Sequence, residues 1–260
     1  METKIKARIV LCVLHDTPAR VRELCDEFPS FECDDEFSGQ GHDERMPEAF
    51  AISDNTVQPT LTEADREAIS MHRDVAYILS PRLNASNGLP EARRALDFVG
   101  RCFSSGARAI KCESSGLTHG RERWQELAER TDDASLFWAW VRRPLDDDGV
   151  LYCCGFHLLG QPDIEVVGES VADALELIDI FAMYILVDRP GDRLKPGNTF
   201  SVSDVSPVYR ISSSPCVRYE EDEFFYNPHG YWRLERVPPR HSEPHMPVYR
   251  WDLSLSSPDK

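Results

Sequence analysis

Between Asp74 and Glu113 the chain spells out a strand, a long amphipathic helix and a second strand with short connections. The run "DVAYILS" at 74–80 is strongly apolar and is closed by Pro81, a pattern that suits a strand. From Pro90 to Ser105, residues Ala92, Ala95, Leu96, Val99, Cys102 and Phe103 recur at helical spacing on one face. Gly106 stands where a helix ends, and "ARAIKCE" begins the next strand. A strand–helix–strand unit of this kind requires a helix layered on a sheet.

The flanking segments extend that layer. Arg8–Leu14 reads as a first strand, and Thr17 with Pro18 suits the start of a helix running to Phe28. The polar, glycine-bearing stretch from Phe31 to Thr60 predicts a surface excursion with one irregular strand. Thr62 with Asp65, and later Ser170 with Asp173, have capping-box spacing. "LFWAWVRRPL" and "VLYCCGFHLLG" flank "DDDG" and predict a hairpin, while "DIEVVG" adds a strand before the apolar helix from Val171. Beyond Ser206, "CVRYEEDEFF" and "YWRLERV" read as edge or hairpin strands.

Together these elements predict an α+β fold, with mixed or largely antiparallel sheets packed against helices and local strand–helix–strand crossovers. The expected division is an N-terminal α/β-like half over 1–130, a C-terminal α+β half over 131–237 and an extended tail over 238–260. The two halves can equally form one compact domain.

Charge narrows the function classes. The chain carries 45 acidic and 29 basic residues in 260, for a formal charge of −16. Such a surface repels nucleic-acid phosphates and anionic lipid and favours a basic protein partner. No apolar run approaches membrane-spanning length, and the N-terminus lacks a secretory pattern. The eight cysteines form no CxxC pair, which suits reduced, buried thiols and a cytoplasmic location. No nucleic-acid or membrane partner is expected; self-association stays open.

The segment "AIKCESSGLTHGRERWQEL" at 109–127 is the first candidate for chemistry. Lys111, Ser115, Gly116, His119 and Arg121 could form an anion cradle at a helix N-terminus. Both the GxxxxGK[ST] and the GxGxxG orders are missing. Ser114 with His119 and Glu113 would supply the types a hydrolase needs, for small-molecule or phosphate chemistry, without the GxSxG elbow. Against both stands a strand-to-helix loop whose serines bind backbone, followed by a helix packing through Trp124, Leu127 and Ala128. His15 and Asp16 follow the first strand, where open sheets present functional groups. Adjacent Cys153 and Cys154 point to opposite faces of a strand and do not chelate one ion; no metal or cofactor is expected. An aromatic set, Trp138, Trp140, Phe224, Tyr226 and Trp232, is the candidate binding surface. As strand residues, Trp138 and Trp140 would share a face.

The segment at 109–127, with "GVLYCCGFHLLGQPDIEV", "DALELIDIFAMYILV" and "LKPGNTF", resembles the bacterial "domain of unknown function 4261" family, most clearly over 149–203. Its most specific pieces are Gly155, His157, Gly160, Pro162, Asp163, Glu165 and the turn at Gly197, Asn198 and Thr199. The resemblance implies an α+β fold and no established reaction, so no catalytic residue is carried over. Cys153, Cys154 and the stretch 227–232 depart from the family pattern. Some members sit near secretion or toxin–immunity functions. The resemblance and the acidic charge together favour a non-enzymatic, immunity-like binding protein that neutralises a basic toxin or effector.

Overall fold

The structure, a computed structural model, describes residues 7–53 and 58–238. The expected tail from 239 onward lies outside the described residues. The fold is α+β, with two five-stranded sheets among the described residues, largely antiparallel and packed against helices.

The first sheet contains β1 (Val10–His15), β2 (Glu32–Gln40), β3 (Asp74–Leu79), β4 (Ala109–Cys112) and β5 (Leu117–Thr118) in the order β2-β3-β1-β4-β5. Strand β1 pairs antiparallel with both β3 and β4. The latter two therefore run parallel with β1 between them, joined through helix α4 (Gly88–Ser104). Every residue of β1 is buried because both faces are covered. Leu11 and Val13 meet α4 and α1 (Pro18–Glu27), whereas Cys12 and Leu14 meet α2 (Met46–Ala51) and α3 (Glu63–Ser70). The capping box at α3 forms as its spacing predicts: Thr62 Oγ1 accepts from the Asp65 amide and Asp65 Oδ2 accepts from the Thr62 amide.

The second sheet contains β6 (Leu151–Tyr152), β7 (Asp163–Val167), β8 (Thr199–Phe200), β9 (Tyr209–Ser214) and β10 (Tyr231–Arg236), ordered β6-β7-β10-β9-β8. Strands β7 and β10 pair in parallel; the remaining pairs are antiparallel. Helix α7 (Val171–Met183) starts at Ser170, whose hydroxyl accepts from the Asp173 amide, and covers one face. One cluster of buried side chains runs from Leu11 and Val13 through α4, α5 (Arg121–Glu129) and α6 (Asp133–Trp140) to Ile164, Phe181 and Leu234. The two sheets thus share a hydrophobic core.

Three expectations are corrected. Leu136–Trp140, read as a hairpin strand, belongs to α6. Asp132 starts that helix by accepting from the Ser135 amide at 2.9 Å, and its apolar residues are buried on several sides. Alternation and helical period cannot be told apart in so short an apolar run. The hairpin shrinks to bridges Arg142↔Cys154 and Leu145↔Leu151 around the turn at Asp146. "CVRYEEDEFF" is a succession of turns rather than a strand, because four consecutive carboxylates leave no apolar face. Of the edge and hairpin alternatives for "YWRLER", the edge fails: it is β10, in the middle of its sheet, paired antiparallel with the preceding strand β9 (Tyr209–Ser214). Strand β9, in which Tyr209 and Ile211 are buried between polar residues, was not foreseen.

Candidate functional site

Residues 215–230 join β9 to β10 and lie over the face of the second sheet opposite α7. Tyr152, Cys154 and Tyr231 form a small buried cluster there, with Cys216, Tyr219 and Phe225 packed on it. The most heavily bonded residue of the segment is Arg218. Its Nη1 donates to Glu165 Oε2 at 2.7 Å and its Nη2 to Asp146 Oδ2 at 2.8 Å. The same guanidinium lies 4.5 Å from the Tyr152 ring centroid and 5.0 Å from that of Tyr231. Burial opposes its charge, but the two carboxylates outweigh that and hold the Arg218 pKa above its ordinary value.

Further anchors fix the same segment. The hydroxyls of Tyr219 and Tyr152 are 2.7 Å apart. The Arg142 guanidinium lies 4.6 Å from the Phe225 ring centroid. Asn227 Nδ2 donates to the Gln161 carbonyl at 3.0 Å, and its Oδ1 accepts from the His229 amide. Gly116, at φ 66°, approaches this segment from the first half: a Cβ there would come within 3.2 Å of the Phe225 ring.

Between the anchors the chain projects into solvent. Val217 is 80% exposed and Phe224 48%, and Glu220, Glu221, Asp222 and Glu223 are all exposed. The tip is ordered by its own turn bonds, with the Glu220 amide donating to Glu223 Oε2 at 2.6 Å and the Tyr226 amide to the Glu223 carbonyl at 3.1 Å. The arrangement is an acidic tip bracketed by two apolar side chains on a stapled base.

Of the aromatic candidates, only Phe224 belongs to this tip with substantial exposure. Tyr226 is half-buried at its base, and Trp232 is half-buried in β10 against the main core. Trp138 and Trp140 do not share a face: on α6 they stand about 200° apart. Trp140 is 0% exposed and donates through Nε1 to the Ala92 carbonyl. Trp138 is half-buried beneath the Arg143 guanidinium.

Most residues at 111–121 are bonded or packed within the fold, while Ser115 Oγ, Thr118 Oγ1 and His119 Nδ1 have no hydrogen-bond partner among the described residues. Lys111 Nζ pairs with Glu113 Oε2 at 2.9 Å. Ser114 Oγ accepts from the Val10 amide and donates to the Arg8 carbonyl, bracing β1. His119 Nε2 donates to the Trp138 carbonyl at 2.9 Å, and burial lowers its pKa to about 3, so the ring is neutral. No hydrogen bond among the described residues joins Ser114, His119 and Glu113. Ser115 is buried, and Arg121 Nη2 donates to the Phe103 carbonyl. The amide of Arg121, at the start of α5, already donates to an anion: Asp65 Oδ1 accepts it at 2.9 Å. Gly120 makes room for that carboxylate, since a Cβ would lie 2.6 Å from Asp65 Oδ2. The start of α5, expected to face a ligand, faces the protein's own Asp65.

Beneath the site, burial raises the pKa of Asp163 to about 7 and of Cys154 to about 12. Asp163 Oδ1 accepts from the Phe156 amide at 3.0 Å. Cys153 and Cys154 are both buried on opposite faces, and a thiol with so high a pKa is a poor nucleophile at neutral pH. Among the described residues no group of three or more His, Cys, Asp or Glu side chains is placed to hold a metal ion, and no helix is long and apolar enough to cross a membrane. No family model, curated protein or solved structure matches the chain.

Proposed function

We propose that this chain is a cytoplasmic, non-enzymatic protein-binding module that docks through the acidic tip at 217–224 onto a basic partner surface, in the manner of an immunity protein masking a toxin or effector. The observation that carries this reading is the combination of a rigid base and an exposed tip: Arg218, Tyr219 and Phe225 are held to the sheet while four carboxylates, Val217 and Phe224 face solvent. A segment ordered before binding loses little conformational freedom on docking. Exposed carboxylates steer a basic partner into encounter, and the apolar side chains beside them give the contact a desolvated centre. The chain's charge of −16 adds a long-range field of the same sign.

Affinity capture from the native cell at low and high salt, using the full chain and the variant Glu220→Lys/Asp222→Lys, tests this. A stoichiometric basic partner is expected with the unaltered chain, with capture weakened by salt and lost in the variant. Absence of any stoichiometric partner, or equal capture by both chains, would overturn the reading.

A further inference from the structure

A cleft of about 240 Å³ opens at the C-terminal end of β1, remote in sequence from the acidic loop. It is walled by His15, Asp16, Thr17 and Arg20 on one side and by the end of α4 on the other, with Val21, Cys102 and Ala107 supplying apolar surface. Strand parity puts His15 on the same sheet face as Leu11 and Val13, toward α1 and α4.

Three features of this cleft point to an anionic ligand. The ten-residue helix α1 begins here with Thr17 as its N-cap, yet the Thr17 side chain makes no capping hydrogen bond, which leaves its hydroxyl to serve something else. His15 is only 3% exposed, and its Nδ1 has no hydrogen-bond partner among the described residues. The unpartnered Nδ1 of His15 differs from those of His119 and His157 in that its ring lines a cleft, so it is open to a group that binds there. Arg20 forms no ion pair with any described residue. The one carboxylate in the wall, Asp16, is neutralised by Arg108, which donates Nε to Oδ1 at 2.6 Å and Nη2 to Oδ2 at 2.5 Å. The cleft is thus locally positive within a strongly acidic chain.

From this geometry we infer that the cleft binds a small molecule through an oxyanion, a carboxylate or a phosphate group. The oxyanion sits at the N-terminus of α1 and accepts from the Thr17 hydroxyl and the Arg20 guanidinium. The His15 ring closes one side, and the apolar floor takes the ligand's carbon portion. The volume suits a metabolite of a few heavy atoms rather than a nucleotide or a peptide.

The test is a titration of the full chain with inorganic phosphate and, separately, with acetate. The readouts are the ring nitrogens of His15 and the backbone amides of Thr17, Arg20 and Val21 in nuclear magnetic resonance spectra. Saturable shifts confined to these groups are expected with at least one probe; phosphate alone assigns a phosphoryl ligand, acetate alone a carboxylate, and both a general oxyanion site. Arg20→Glu should weaken binding about tenfold or more, whereas Arg22→Glu, the same charge change at an exposed residue paired with Asp35, should leave it within about twofold. No saturable shift with either probe overturns the inference. Equal weakening by the two variants also overturns it, because the binding would then follow overall charge alone.

Discussion

Replacing Arg218 by Met removes the charge that staples the acidic loop while keeping a long apolar stem over Tyr152 and Tyr231. The lost interactions are charge-assisted hydrogen bonds to Asp146 and Glu165 and the contacts with the two rings. Asp146 can rehydrate, because its side chain is partly exposed and still accepts from the Val150 amide at 2.8 Å. Glu165 is the costly member: its side chain is 4% exposed and would be left with Arg233 at 3.2 Å and the Ser214 hydroxyl at 3.5 Å. Abandoning a buried charge entirely costs about 3–5 kcal/mol, so with the Arg233 ion pair and the long Ser214 hydrogen bond remaining the loss should be about 2–3 kcal/mol. Urea unfolding measures this as a lower midpoint at unchanged slope. Hydrogen exchange should show faster exchange over 215–226 than in the rest of the second sheet. A double-mutant cycle with Glu165→Gln should return a coupling of about 1–2 kcal/mol. A loss below about 0.5 kcal/mol, with loop exchange unchanged, would refute the idea that Arg218 organises the docking loop.

Asp65→Ala should destabilise by about 2 kcal/mol in urea titration, since one carboxylate completes the capping box of α3 and also receives the first amide of α5. Burial raises the Asp65 pKa but hydrogen bonds from Thr62 and Arg121 outweigh it, so the net shift is downward. Its contribution is present above about pH 4 and lost as pH falls through the lower folded value, a dependence that Asp65→Ala should remove from the acid limb. His119 behaves as a group buried in its neutral form: with its folded pKa near 3, stability is lost as pH falls from about 6.5 toward 3. His119→Gln should flatten that limb by about one proton in a series of unfolding curves. Asp163 has the opposite sign. Its folded pKa of about 7 means that stability declines as pH rises from about 4 to 7, so Asp163→Asn should be more stable than the unaltered chain at pH 8, by about 2–4 kcal/mol.

Local pattern was sufficient where a helical period, a cap spacing or a closing proline marks the element. The apolar face of α4, the box at Thr62 and Asp65 and the run from Asp74 to Leu79 follow from period and spacing, and the crossover follows from their order, but the insertion of β1 between its two strands does not. Helix α6 was misread because it is buried on several sides, which erases the polar face that would have distinguished helix from strand. The fate of the loop at 109–127 depended on distant residues. The anion at the start of α5 is Asp65, and the ring against Gly116 is Phe225; neither relation leaves a trace in the local sequence. In the aromatic set, composition alone could not separate Phe224, which is exposed, from Trp140, which is enclosed by α4 and α5. The acidic run was visible in the sequence, but the anchors that make it a fixed surface, Asp146, Glu165 and Tyr152, come from other strands and turns.

The most direct measurement is a hydrogen-exchange footprint of the full chain with and without its captured protein partner. Slowed exchange centred on 217–226, with little change over α7 and the first sheet, is the predicted result. A footprint on α7 or on β2 that leaves the acidic loop unprotected would contradict the assignment of that loop as the docking surface.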